Sequence, residues 1–116
     1  MQANPVKLTK TLKFTDLKSG WILQGKKTAT LRLFDDKDLK EGDELILINR
    51  NTGEVFMHAT VTNIVNKNLG RINNEDMLGH EKYNSPEQMY EIMRKFYGPK
   101  VGPTTLAKII RFKIHD

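Results

Sequence analysis

The spacing of hydrophobic residues changes several times along the chain, and the changes mark out its elements. Phe14-Thr15-Asp16 opens a short helix. Thr15 is its N-cap, and Asp16 meets the positive end of the helix dipole in the first turn. Leu17, Trp21 and Ile22 form the expected buried stripe. Gly25 is placed to end the helix in the left-handed conformation, with Lys26 and Lys27 beside the negative dipole end. Thr28 to Phe34 alternates and carries β-branched residues, so it reads as a strand. Asp35 to Gly42 is a charged loop. Asp43 to Asn49 is a nearly continuous apolar run, read as a strand buried on both faces. Arg50-Asn51-Thr52-Gly53 has turn chemistry. Glu54 to Val65 then returns as a long strand with Val55, Met57, Ala59 and Val61 on one face, completing a hairpin.

Asn66 to Asn74 is polar and irregular, and Glu75 to His80 reads as a single helical turn. Ser85-Pro86-Glu87-Gln88 is a helix start, with Ser85 as N-cap, Pro86 in the first position and Gln88 closing a capping box. Met89, Ile92, Met93, Phe96 and Tyr97 follow at helical spacing, and the stripe of Met89, Met93 and Phe96 reads as core. Gly98-Pro99 stops that helix. Thr104 to Ile114 is a closing strand, with Leu106, Ile110, Phe112 and Ile114 on one face and Ile109, Arg111 and Lys113 on the other. Strands and helices do not interleave regularly, which argues against a parallel sheet. The expected class is α+β: a small mixed β-barrel flanked by short helices. Met1 to Pro5 reads as a loose tail, residues 1–13 as a partly flexible N-terminal extension, and residues 14–116 as the domain.

A chain of 116 residues fits one domain and buries enough surface to fold without a metal or disulfide. It has no cysteine, which excludes disulfides, thiolate metal sites and cysteine nucleophiles. No apolar run approaches the roughly 18 residues that cross a bilayer, and the first 13 residues lack the apolar core of a signal peptide. A cytoplasmic protein without a membrane partner is the expectation, with a monomer as the default state.

The formal net charge is +5. Lys7, Lys10, Lys13, Lys18, Lys26, Lys27 and Arg32 lie in a stretch whose one acid is Asp16. Arg94, Lys95, Lys100, Lys108, Arg111 and Lys113 run without an acid until Asp116. If the two clusters meet, the face they form attracts polyanions such as RNA. The alternative is an ordinary solvated surface.

The stretch with most chemistry is Gly25-Lys26-Lys27-Thr28-Ala29-Thr30-Leu31-Arg32. On a strand Thr28, Thr30 and Arg32 share a face, with Lys26 and Lys27 at the entry. This is a donor array for an anionic or carbonyl-bearing ligand; the plainer reading is an edge strand with a threonine face. His58, His80 and His115 lack metal-ligand spacing, although His80 is next to Glu81. Trp21 reads as core, and Tyr83 as an aromatic able to stack on a base. No phosphate-binding Gly-rich motif and no serine elbow occur, so neither cofactor nor metal is expected.

Gly25-Lys26-Lys27-Thr28-x-Thr30-x-Arg32 resembles the G-[KR]-K-T-x-T-x-R signature of the ASCH family. Glu41-Gly42-Asp43 with Leu45-Ile46-Leu47 is similar to that family's second strand, and Phe56 to Val65 to its third. Glu75-Asp76, Tyr97-Gly98 and Ile109 to Lys113 are similar to its tail. The resemblance runs from Phe14 to Ile114 and implies a PUA-like barrel whose basic cleft holds RNA or a nucleoside or nucleotide. Some small bacterial members remove the acetyl group from N4-acetylcytidine with a lysine, a threonine and a glutamate. Carried over, these are Lys27, Thr30 and Glu81, with Glu75 and Asp76 as competitors for the acid. Lysine as base, threonine as nucleophile and glutamate as proton donor to the leaving amine make a coherent set. Lys26, Thr28, Arg32 and Tyr83 are then the expected ligand contacts. Other members are credited with RNA binding or metal-independent RNA cleavage, and a fold alone does not choose among these.

Overall fold

The computed structural model of the chain describes residues 9–115. The tail expected over Met1 to Pro5, Lys7 of the first basic cluster and Asp116 lie outside the described residues. In chain order the elements are β1 (Thr9–Phe14), α1 (Asp16–Leu23), β2 (Ala29–Leu33), β3 (Glu44–Asn49), β4 (Val55–Asn68), a 3-10 turn (Leu69–Arg71), α2 (Pro86–Tyr97) and β5 (Leu106–His115). The strands form one sheet in the order β1-β3-β4-β5-β2, a curled half-barrel with two helices. β1 pairs with β3 in parallel, and the other three pairings are antiparallel. This is the expected α+β class with a mixed sheet. Among the described residues no helix is long and apolar enough to cross a membrane.

β1 is an element that the sequence reading did not assign, and the boundary drawn after residue 13 runs through it. Its pattern is short, with only Leu12 and Phe14 buried. Two lysines among six residues hide the alternation, and the strand exists because β3 offers it a parallel partner.

The two edge strands, β1 and β2, face each other across the open seam of the half-barrel, which two devices bridge. Arg32 on β2 donates from Nη2 to the Lys13 carbonyl on β1, 3.0 Å away. Beside it the charged loop after β2 crosses the gap: Lys37 Nζ donates to Thr11 Oγ1, and Lys10 Nζ to the Asp38 carbonyl. Leu39 of that loop plugs the interior with Leu12, Phe14, Ile22, Leu45, Leu47, Val61, Ile110 and Phe112. Truncating such a fully buried leucine costs about 2–5 kcal/mol.

A second core lies under α2, where Met89 and Met93 meet Leu31, Leu33, Leu69, Val101 and Ile109. Because α2 covers the sheet's outer face here, β5 buries both Ile109 and Ile110. The two faces expected of β5 are seen, Ile110, Phe112 and Ile114 turned to the first core and Ile109 to the second, while its first residue, Leu106, is exposed. The apolar run of β3 is not buried on both faces: Leu45 and Leu47 are buried, while Ile46 and Ile48 are half-exposed. In α1 the expected stripe is corrected as well. Leu17 is 63% exposed and Trp21 half-buried, whereas Ser19 and Ile22 are buried. β4 runs on through Asn68, into the stretch read as irregular, and stays paired with β5 there.

Candidate functional site

The site forms where α1 ends, β2 begins and the loop before α2 returns. Thr15 caps α1 by accepting from the Lys18 amide. At the other end Gly25 takes φ +76°, so the chain turns back and the amides of Lys26 and Lys27 both donate to the Trp21 carbonyl. The next two amides, of Thr28 and Ala29, both donate to the Gly79 carbonyl, at 2.8 and 3.1 Å. Lys27 is thus pinned between two carbonyls. Gly79 has φ +81°, and a Cβ on it would fall 2.1 Å from Thr28 Oγ1. No larger residue fits that approach, and the approach carries the loop bearing His80 and Glu81 onto Lys27.

Lys27 is 2% exposed, and its Nζ lies 2.6 Å from Glu81 Oε2. Lys18 Nζ reaches the other oxygen, Oε1, at 3.6 Å. Thr30 is buried, and its Oγ1 accepts from Arg32 Nε at 3.1 Å. The Arg32 guanidinium stacks on the Phe14 ring at 4.9 Å. These groups line one cleft of about 70 Å³ with Arg50, His80, Tyr83, Phe96 and Tyr97. The volume exceeds the space one water needs, so it admits a small group of a larger ligand.

Burial pulls Lys27 down to about 8, against the upward pull of Glu81; Lys18 and Arg32 add to the lowering. Burial works to raise the Glu81 carboxyl, but His80, which is charged only at acid pH, and the charge and hydrogen bond of Lys27 outweigh it, leaving it below the ordinary carboxylate range. His80 is pushed down to about 4, by burial first and by Lys27 second. It is therefore neutral at pH 7, and since Nδ1 lies 2.7 Å from the Glu81 carbonyl, that nitrogen carries the proton. Burial and neighbouring Glu81 push the Tyr83 phenol above its ordinary value.

Of the residues singled out from sequence, Lys27, Thr30, Glu81, Arg32 and Tyr83 line this cleft, and Lys26 and Thr28 do not. Thr28 lies before the first residue of β2, and its hydroxyl packs against Gly79 rather than facing the way of Thr30. Glu75 is exposed, and Asp76 is occupied by Lys67 and the Asn73 amide; neither lines the cleft. Phe96, read as core, is 52% exposed and lines the cleft, with Lys18 Nζ 5.4 Å from its ring centre. Lys18, Arg50 and Tyr97 were not singled out for the site. Lys18 had one local signal, its place in the first turn of a capped helix that ends at the lysine pair; Arg50, in a hairpin turn, had none.

The two basic stretches adjoin where β2 pairs with β5, and part of their charge is engaged by neighbours. Lys10 is paired with Asp43 and Lys108 with Asp35, and Arg111 is held by Asn63 and two carbonyls. The cleft itself carries a surplus of positive charge: Lys13, Lys18, Lys27, Arg32 and Arg50 line it with the single carboxylate of Glu81.

A five-stranded α+β half-barrel with a cationic cleft at its seam has the fold of ASCH domains. Comparison with protein-family models and with curated sequences gives no match, whereas solved structures match over most of the chain. An ASCH domain from Lactobacillus crispatus JV V101 superposes with a TM-score of 0.72 at 16% identity, over 92% of this chain and 79% of its own. Protein EF3133 from Enterococcus faecalis V583 gives 0.74 at 15%, over 97% and 83%. ASCH from Zymomonas mobilis gives 0.66 at 13%, over 92% and 68%. At these identities the likeness is one of fold.

Proposed function

We propose that the cleft binds a nucleoside, free or within RNA, and hydrolyses an amide on its base, with N4-acetylcytidine as the substrate the family resemblance suggests. The observation that carries this reading is the buried Lys27, bonded to Glu81 in a cleft that Thr30 also lines. A lysine drawn down to about 8 is neutral in an appreciable fraction of molecules near pH 7 and can act as a base. Thr30 Oγ1 already accepts from Arg32, so its own proton is free to be given away.

Neutral Lys27 takes the Thr30 proton as Oγ1 bonds to the acetyl carbon, and the oxyanion forms beside Arg32. Collapse breaks the C–N bond, and the leaving nitrogen takes the proton from Lys27, giving cytidine and acetyl-Thr30. Water then adds to the ester carbon and passes a proton to Lys27. When the C–Oγ bond breaks, that proton returns to Thr30 and acetic acid departs. Glu81 is ionised at rest, so its part is to orient Lys27 and the proton for the leaving nitrogen comes from the lysine.

The test is incubation of the protein with N4-acetylcytidine while free cytidine and acetate are followed. Turnover is expected, with Thr30→Ala reducing it by roughly a thousandfold. Turnover indifferent to that substitution removes the mechanism, and no turnover between pH 6 and about 9 removes the activity. The surplus of cations favours a second reading, RNA binding without chemistry. It predicts affinity that falls steeply with salt and no product in the same assay. Metal-independent ribonuclease activity would use the same cleft and would appear as shortened RNA.

A further inference from the structure

We infer that Arg32 and Arg50 form a phosphoryl site at the mouth of the cleft, so that the nucleoside entering it carries a phosphate. The inference rests on the cleft being a nucleoside site and adds the chemical class of what is attached to the nucleoside.

The Arg32 guanidinium is held rigidly. It stacks on Phe14 and donates to Thr30 Oγ1 and to the Lys13 carbonyl. Both acceptors are neutral oxygens. A guanidinium has five N–H donors, so three stay uncommitted. Among the described residues no carboxylate lies within ion-pair distance of Arg32 or Arg50. Asp35, which follows on the same chain segment, is engaged by Lys108 at 2.7 Å and by the amides of Lys37 and Leu39.

Arg50 is placed by its own main chain, whose amide donates to the Phe14 carbonyl at 2.7 Å, and its side chain is exposed. It lines the cleft with Arg32 and Tyr97, and the same three residues line the adjoining hollow of about 320 Å³. The two guanidiniums repel each other: Arg50 is among the groups that lower the proton affinity of Arg32, after burial. Like charges facing one hollow, that of Arg32 held in place and both with donors unspent, are what a dianionic tetrahedral ligand satisfies. Planar guanidinium forks match phosphoryl oxygens better than they match single point acceptors. Arg32 also bonds to Thr30, so the phosphoryl group would lie within one side chain of the reacting atoms.

The phosphate has two sources, a free nucleotide or a strand of RNA, and calorimetric titration at low salt separates them. The probes are cytidine, cytidine 5′- and 3′-monophosphate, and a short single-stranded oligoribonucleotide without terminal phosphates. At least one phosphorylated probe is expected to bind roughly tenfold or more tighter than cytidine, the worth of one charge-assisted hydrogen bond. Arg50→Ala should bring that ratio close to one, and Arg50→Lys should keep part of it. Preference for a monophosphate assigns a free nucleotide; preference for the oligonucleotide assigns a strand. Equal affinities for all probes, or a ratio unchanged by Arg50→Ala, overturns the inference. Phosphate preference without amide turnover overturns the proposed activity alone, and turnover without phosphate preference overturns this site alone.

Discussion

Among the described residues four lysine–carboxylate pairs have nearly equal lengths, and they differ in which partner is buried. Lys10–Asp43, Lys108–Asp35 and Lys67–Asp76 measure 2.7, 2.7 and 2.8 Å; Lys27–Glu81 measures 2.6 Å. In the first three the acid is the more buried partner. Each aspartate also accepts from the main chain: Asp43 from Lys40, Asp35 from Lys37 and Leu39, Asp76 from Asn73. They are loop staples with a lysine added. In the cleft the order is inverted, with the lysine 2% exposed and the carboxylate 24%. A buried ammonium loses hydration that one carboxylate does not replace, so its proton becomes labile. Distance alone does not separate the staples from the pair proposed to react; the difference between them is which partner is desolvated.

The sharpest way to break this comparison is to remove the lysine from each kind of pair. Lys27→Met is expected to lower kcat/KM on N4-acetylcytidine by roughly a thousandfold, whereas Lys108→Met should leave it within about threefold. Equal losses would show that Lys27 is a staple like the rest. Next in size is Gly79→Ala. Its methyl collides with Thr28 Oγ1, at a backbone angle that disfavours any side chain, and displaces the loop that delivers Glu81. A loss of roughly a hundredfold in kcat/KM is expected, partly recovered by adding Thr28→Ala, which removes the colliding hydroxyl.

For the staples the readout is stability. Asp35→Ala strips two amides and Lys108 of their acceptor and should cost about 2–3 kcal/mol in urea unfolding. The two kinds of pair also separate by pH. Asp35, Asp43, Asp76 and Glu81 are all held below the ordinary carboxylate value. Their contribution to stability is full above the unfolded value near 4 and is lost as pH falls through the lowered folded values. Lys27 acts at the alkaline end. Between about 8 and 10.5 the unfolded chain holds a proton there that the folded chain has released, so stability rises with pH on its account. Turnover should rise with pH to a half-point near 8, and Glu81→Gln, by removing an upward pull on Lys27, should move that point lower. A pH–rate profile of the two proteins checks the direction. The smallest effect is expected of Lys26→Ala, an exposed lysine outside the cleft, which should change kcat/KM by less than about twofold.

Much of the fold can be read locally. α2 carries its N-cap serine, first-turn proline and helical stripe within 13 residues, and the Ser85 cap and Pro86 start stand as expected. Gln88 differs only in the partner of its side chain, which is the Asn84 amide. The turn at Arg50 to Gly53 and the strands around it are equally local. β1 was missed because its burial depends on a partner 35 residues away, Thr9 lying opposite Glu44. Phe96 was misread because helical spacing fixes which face a residue occupies; what covers that face is decided elsewhere.

The sequence by itself determined the elements wherever their signals lie within a turn or two: caps, stop glycines, the hairpin, and the lysine-threonine-arginine run at the head of β2. Only the tertiary structure decided what that run faces. Glu81 is 54 residues from Lys27 in the chain and brings His80 with it, and Arg50 and Lys18 arrive from two other segments. Their meeting follows from the strand order, which leaves β1 and β2 as facing edges, and from the close approach of Gly79 to Thr28. Neighbours in sequence set a residue's backbone preference. Desolvation, which turns an ordinary lysine into a labile one, is the summed effect of groups that no local pattern specifies.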